Sequence, residues 1–523
     1  MLRAMGWEPE LEELRRREEL ARQMGGSERV DRQHRSGRLT VRERIERLFD
    51  PDTFHETGAL AGRAEYSDGE LTAFLPANVV IGQGRIAGRR AIVQGDDFTV
   101  RGGAADAAIW QKMVYAEQLA RELRIPLLRL VDGTGGGGSV KSLEMMGHTY
   151  VPFIPGWDVA VDNLSTVPVV AAALGPVAGL GAARVVAAHF SVIVRDTAQM
   201  FIAGPPVVAA AMGESPDKEE LGGARTQTRV GAVDNEAADE EDALAQLKRF
   251  LSYLPSNVWE VPPATASDDP IDRREPDLVS IVPRDRRRPY KVRRILEAVL
   301  DRGSVFELGA QYGRPLVTAL ARLGGRPVGV LASDPNHYGG GLNADASEKL
   351  TRFADLCDQF HLPVVNFVDQ PGFVIGTDAE RRGTIRRGTR ALVAVYQASV
   401  PWVSVLVRKV YGVAGAAHGN AQGLNLRYAW PSGDWGSLPI EGGLEAAYRR
   451  ELEGAEDPVA LRAEIEERLN AVRSPFRTAE RFGVEEIIDP RDTRPILCDW
   501  AERAHELVAH EVVHGPKARG LRP

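Results

Sequence analysis

Two short glycine-bearing turns hold the residues of this sequence whose types and spacing suit catalysis: Gly179-Leu180-Gly181-Ala182 and Gly412-Val413-Ala414-Gly415. Neither contains a nucleophile, an acid or a base. Their side chains are small or apolar, so what they offer is main-chain N–H groups at a helix start, the donor set of an oxyanion hole. Each follows a buried apolar strand, opening with Val167-Pro168-Val169-Val170 in one case and Val400-Pro401-Trp402-Val403 in the other. A single such turn is explained equally well by glycines that permit tight strand-to-helix packing. Two copies at equivalent positions favour function. A further candidate is the run Gly135-Gly136-Gly137-Gly138 after a strand, suited to cradling a phosphate or letting a thioester approach the backbone.

Other catalytic sets are missing. There is no GxSxG elbow, no HExxH and no GxxxxGK[ST] phosphate loop. Ten histidines are scattered through the chain. His418, four residues after Ala414, reads as a hydrogen-bonded structural histidine. His510 and His514 share i, i+4 spacing, but a pair alone makes a poor metal site, and no metal is expected. The two cysteines, Cys357 and Cys498, form no CxxC. That argues against a disulfide framework or a structural zinc ribbon and fits a reducing cytoplasm.

The elements that must position the turns are also written twice. Pro126 to Pro363 and Asp132 to Asp369 are the same step, and Gly88-Arg89-Arg90-Ala91-Ile92-Val93 recurs one such step on as Gly325-Arg326-Pro327-Val328-Gly329-Val330. A period nearly half the chain long lies far outside the roughly 20–50 residues of solenoids and signals two homologous domains. Each half reads as a strand pair (joined at Ala87-Gly88 in the first), a helix, a buried strand, a glycine turn, a helix, a second buried strand, and a second glycine turn. Apolar strands alternating with helices imply an α/β fold with largely parallel sheet. Helices are expected at 10–24, at 39–48 with Thr40 as a cap, at 105–122, at 344–360, at 457–472 and at 500–513. Residues 255–290, rich in Pro, Asp and Arg, read as a connector.

At 523 residues, with 43% apolar and 26% charged, the chain has ample material for two large cores. A net charge of −8 gives no footprint for nucleic acid or an anionic membrane. Arg273-Arg274 and Arg284-Asp285-Arg286-Arg287-Arg288 read as solvated linker charge. The uncharged stretch 167–183 carries two prolines and three glycines, which makes it strand, turn and helix start and not a membrane span. The charged start, MLRAMGWEPELEELRRREELARQ, is a helix and not a secretory signal.

Several blocks together resemble the carboxyltransferase β subunits of biotin-dependent acyl-CoA carboxylases, of the propionyl-CoA and methylcrotonyl-CoA type. They are SGRLTVRERIERLFDPDTF (36–54), GDDFTVRGGA (95–104), GPVAGLGAA (175–183), FIAGPPVV (201–208), the long block 343–388 and RKVYGVAGAAHG (408–419). The resemblance runs from about residue 10 to the end. It implies two tandem crotonase-like domains, here 31–265 and 291–523, with an N-terminal helix at 1–30 and a connector at 266–290. It further implies a homohexamer whose site pairs opposite halves across a dimer. The substrate would be a coenzyme A thioester, and biotin would arrive on a separate carrier subunit served by a biotin carboxylase.

Carried over by position, one oxyanion hole falls on the amides of Gly179 and Leu180 and stabilises an enolate. The other falls on Val413 and Ala414 and stabilises the ureido anion of biotin. Gly135, Gly136, Gly181, Gly412 and Ala416 would line the substrate site. Three departures stand out: Leu180 and Val413 where the family commonly has glycine, DGTGGGG (132–138) in place of a D-S-G-G-A block, and small Ala416. Two other readings stay open: a transcarboxylase or decarboxylase subunit for methylmalonyl-CoA-type substrates, and a catalytically reduced scaffold that binds coenzyme A.

Overall fold

The computed structural model describes residues 6–104, 109–133, 144, 147–421 and 426–512. The chain divides into two compact units. One comprises the residues up to Ser252 with Ser256–Val258; the other comprises Tyr253–Pro255 and the chain from Trp259.

In the first unit, β1 (His55–Thr57), β4 (Val79–Ile86), β5 (Arg89–Asp96), β6 (Leu127–Gly133), β7 (Val169–Ala178), β8 (Phe190–Val194) and β10 (Asn235–Ala237) lie side by side in that order, and β9 (Gln199–Phe201) pairs with the end of β7. The pairs β1–β4 and β4–β5 are antiparallel and the rest parallel. A separate hairpin, β2 (Gly62–Ser67) with β3 (Glu70–Pro76), stands off this sheet. Ala87 and Gly88 join β4 to β5 with φ of 48° and 80°, the positive pair that a two-residue hairpin turn needs.

The second unit repeats this plan strand for strand. Its order is β11 (Phe306–Leu308), β12 (Leu316–Leu323), β13 (Arg326–Ser333), β14 (Val364–Gln370), β15 (Trp402–Tyr411), β16 (Leu426–Ala429) and β18 (Glu486–Ile487), with β17 (Asp434–Gly436) paired to the end of β15. The central strands are buried on both faces: every residue of β6, β8, β12 and β14 is buried. That is why they read as continuous apolar runs without alternation.

The helical expectations are met with shifts at their ends. The capped helix is Val41–Leu48, with a full capping box between Thr40 and Glu43. Others run Glu8–Arg22, Trp110–Leu123, Ala344–Gln359, Pro458–Val472 and Thr493–Glu511. Elements that the sequence did not mark include the hairpin β2–β3, whose residues are largely exposed, and the helices Ile440–Ala447 and Arg449–Glu453.

Each unit anchors the strand before its site with a buried aspartate. Asp132, near the end of β6, takes Arg38 Nη1 at 3.0 Å, Arg44 Nη1 at 2.8 Å and Gln33 Nε2 at 3.1 Å. Arg44 also grips Glu240 with Nε at 2.6 Å. The equivalent Asp369 takes Arg408 Nη2 at 2.9 Å and the Lys409 N–H at 3.0 Å. Buried ion pairs of this kind cost several kcal/mol to break from one side (about 3–5), so they hold the strand ends in place.

Candidate functional site

Both candidate turns stand where a central parallel strand gives out. After Ala178 closes β7, Gly179 adopts φ 58° and ψ −120°, a region only glycine enters without strain. A helix, Leu180–Val186, starts at once. The Gly179 N–H donates to Phe201 O at 3.1 Å, and Gly179 O accepts from the Ala183 N–H. Among the described residues no acceptor meets the N–H groups of Leu180 and Gly181, the first donors of that helix. Gly181 has no room for a side chain: a Cβ would stand 2.9 Å from Val177 Cγ1.

The second turn has the same build. Tyr411 ends β15, Gly412 has φ 61°, and a short helix runs Gly412–Ala416. Among the described residues the N–H groups of Val413 and Ala414 meet no acceptor. Ala414 is buried, whereas Val413 is 62% exposed. Gly415 packs so closely that a Cβ would lie 2.9 Å from Val410 C. Ala416 is exposed on the far end of the helix.

Strand register fixes which residues correspond. Ala178 pairs with Phe201 in β9 as Tyr411 pairs with Gly436 in β17. Gly179 therefore matches Gly412, Leu180 matches Val413, and Gly181 matches Ala414. The expected donor pair Gly179–Leu180 is out of step with Val413–Ala414. The Gly179 N–H is spent on Phe201 O, so among the described residues the N–H groups of the first turn without an acceptor are those of Leu180 and Gly181, and Gly179 sets the bend. Sequence alone misses this because the acceptor sits on β9, a three-residue strand with no pattern of its own.

Gly135 and Gly136 lie outside the described residues. His418 is remote from the donors in bonding terms. Its Nδ1 lies 2.7 Å from Gly415 O, and its carbonyl accepts from Ser404 Oγ, Trp402 Nε1 and Asn366 Nδ2. Burial lowers its pKa, which suits a neutral imidazole held for packing. Among the described residues no three His, Cys, Asp or Glu side chains cluster as a metal ion requires.

Beside the first turn, Leu180 borders a recess of about 40 Å³ together with Trp110, Met113, Trp157 and Arg184. Glu117, Arg129 and Arg184 of its lining belong to ion pairs: Arg129 Nε reaches Glu117 Oε1 at 2.9 Å, and Arg184 Nη1 reaches both oxygens of Asp96 at 3.1 Å. Burial raises the Asp96 carboxyl against the pull of Arg184.

Residues 32–510 match the family of the carboxyl transferase domain. The chain is 36% identical over 496 residues to the carboxyltransferase subunit of propionyl-CoA carboxylase from Haloferax mediterranei, covering 94% of this chain and 95% of that one. It is 36% identical over 491 residues to the methylmalonyl-CoA carboxyltransferase 12S subunit of Propionibacterium freudenreichii subsp. shermanii, covering 93% and 92%. Among solved structures, the hexameric transcarboxylase 12S with methylmalonyl-coenzyme A and methylmalonic acid bound superposes with a TM-score of 0.86. It is 34% identical, with 100% of this chain and 98% of that one covered.

Proposed function

The chain belongs to the carboxyl transferase family, whose chemistry is acyl-CoA carboxyl transfer, and from that membership we propose a division of labour between its two turns. The Leu180 and Gly181 N–H groups receive the thioester oxygen of an acyl-CoA and hold the charge that grows there as the α-carbon loses its proton. The Val413 and Ala414 N–H groups would hold the ureido oxygen of a bound biotin and steady negative charge there. Biotin, borne by a carrier protein, supplies the activated carboxyl group when bound.

Main-chain donors fit both tasks because they cannot accept a proton and need no reorganisation, each being worth about 3–4 kcal/mol at the transition state. The observation that carries the proposal is the pair of N–H groups that, among the described residues, meet no acceptor at matched positions of two repeated units.

The partners follow from this chemistry: a biotin carboxylase and a biotinylated carrier. The two cysteines are buried and free, in keeping with a reducing compartment such as the cytoplasm. Among the described residues no helix is long and apolar enough to cross a membrane.

The test is reconstitution with a biotin carboxylase and carrier, following ATP-dependent incorporation of labelled bicarbonate into a panel of acyl-CoA thioesters. Failure on every thioester would remove the carboxylase reading. A second reading is favoured by the likeness to the 12S subunit: transfer of the carboxyl group out of methylmalonyl-CoA. Carboxyl loss from that substrate to the carrier without ATP would select it.

A further inference from the structure

The basic stretch 284–288, unremarkable as sequence, borders a cavity. The space, about 400 Å³, is walled by Val279, Val282 and Pro283 on one side and by Trp430, Pro431 and Ser432 on the other, with Arg284, Arg286 and Arg408 around it. All belong to the second unit.

The three arginines differ in what they have left to give. Arg408 is 2% exposed and fully engaged, with Nε and Nη2 on Asp369 and Nη1 on Arg288 O at 2.9 Å. Arg284 is exposed and makes no hydrogen bond or ion pair among the described residues. Arg286 has one acidic neighbour, Asp434, 3.3 Å from its Nε. Asp434 is already held by Arg473, whose Nε and Nη2 reach its two oxygens at 2.6 and 2.7 Å. The acid between the two arginines, Asp285, accepts from the Arg287 N–H.

Two guanidinium groups thus border one cavity with nearly all of their donors unspent. Each presents five N–H groups in a planar fork that matches phosphate. Like charges set side by side repel, and the apolar walls weaken the screening that would relieve them. An anion relieves both.

We infer that this cavity binds a phosphate-bearing small molecule, its phosphate on Arg284 and Arg286 and its apolar or planar portion against Val279, Val282 and Pro431. The inference does not rest on the carboxyl-transfer reading, since it concerns binding alone. The phosphate could come from a free nucleotide-type ligand or from the coenzyme A portion of a substrate, and the experiment separates the two.

The test titrates the full chain calorimetrically with inorganic pyrophosphate, ADP and coenzyme A, and repeats the series with Arg284→Ala/Arg286→Ala, with Arg284→Glu and with Arg287→Ala. Pyrophosphate or ADP should bind saturably, more weakly as salt rises. Affinity should fall at least tenfold in the double variant and in Arg284→Glu, and hold in Arg287→Ala, whose residue does not line the cavity. Arg284→Glu changes an unpartnered surface residue, so folding is not at stake there. If ADP loses affinity while coenzyme A does not, the ligand is a free nucleotide. If coenzyme A loses affinity and ADP never binds, the phosphate belongs to the substrate. Absence of saturable binding by all three probes, or equal affinity in parent and double variant, overturns the inference.

Discussion

At the scale of single residues, the first turn depends on one backbone conformation and one side chain. Gly179 holds φ 58° and ψ −120°, so Gly179→Ala should add strain of about 1–3 kcal/mol. The chain will relieve it by rotating the start of the helix, moving the Leu180 and Gly181 N–H groups off the thioester oxygen they are proposed to hold. The expected result is a fall in kcat of about 100-fold, the loss typical of one oxyanion donor, with a melting temperature lowered by only a few degrees. Near-parental kcat in a folded Gly179→Ala protein would remove this turn from the mechanism. Leu180 makes a different prediction, because its side chain borders the recess with Trp110, Met113 and Trp157. Leu180→Gly should widen that space and raise the kcat/KM ratio of butyryl-CoA to propionyl-CoA about tenfold, the scale of one methylene in an apolar pocket. An unaltered ratio would place the acyl group elsewhere. The sequence pointed to Leu180 as a departure, but which N–H was spent was hidden, since Phe201 O decides it from a distant strand.

Among the elements, legibility follows burial. Strands β6, β7, β14 and β15 are apolar runs because both of their faces are covered, and they were plain in the sequence. β9 and β17, three residues each, carry no period, yet their pairing settles the register of both turns. The helix Val41–Leu48 was legible for another reason: its capping box is a sequence motif. That helix also makes a pH prediction. Burial acts to raise the Glu43 carboxyl, but hydrogen bonds from His34 and from the Thr40 N–H and hydroxyl outweigh it and bring the pKa to about 2. A carboxylate depressed on folding contributes stability above its unfolded pKa of about 4.3 and loses it as pH falls towards the folded value. The contribution is therefore present at neutral pH and fades between about pH 4 and pH 2. Thr40→Ala removes one of those bonds and the helix cap. It should cost about 1 kcal/mol at neutral pH and move the acid-unfolding midpoint upward, read by circular dichroism. A midpoint that stays in place or falls would show that the Thr40–Glu43 contact is not what holds the carboxylate down.

For the molecule as a whole, the duplicated plan explains how one chain presents two matched turns, the sites proposed for two anions, while its surface bears on assembly. The helix Pro205–Met212, PPVVAAAM, carries no charge and buries none of its residues within its own chain. Ile202, just before it, is 98% exposed, Met212 is 70% exposed and Val207 is 58% exposed. In the second unit Ile375 is 89% exposed and Ile385 is 64% exposed. A lone exposed leucine needs no explanation, but a contiguous apolar helix does. The solved 12S transcarboxylase is a hexamer, and we propose that in an assembly of that kind a second copy of this chain covers the helix. Val207→Asp then places a carboxylate inside a protein–protein contact, where an unpaired charge is far costlier than on a free surface. The parent should run as a hexamer by size-exclusion chromatography with light scattering, and the variant as smaller species, with carboxyl transfer falling in parallel. The monomer fold should persist, since Val207 packs against little within its own chain, and far-ultraviolet circular dichroism will report that. A variant that assembles and turns over like the parent would mean that this helix faces water in the working enzyme, and that the hexamer, if it forms, is built on other surfaces.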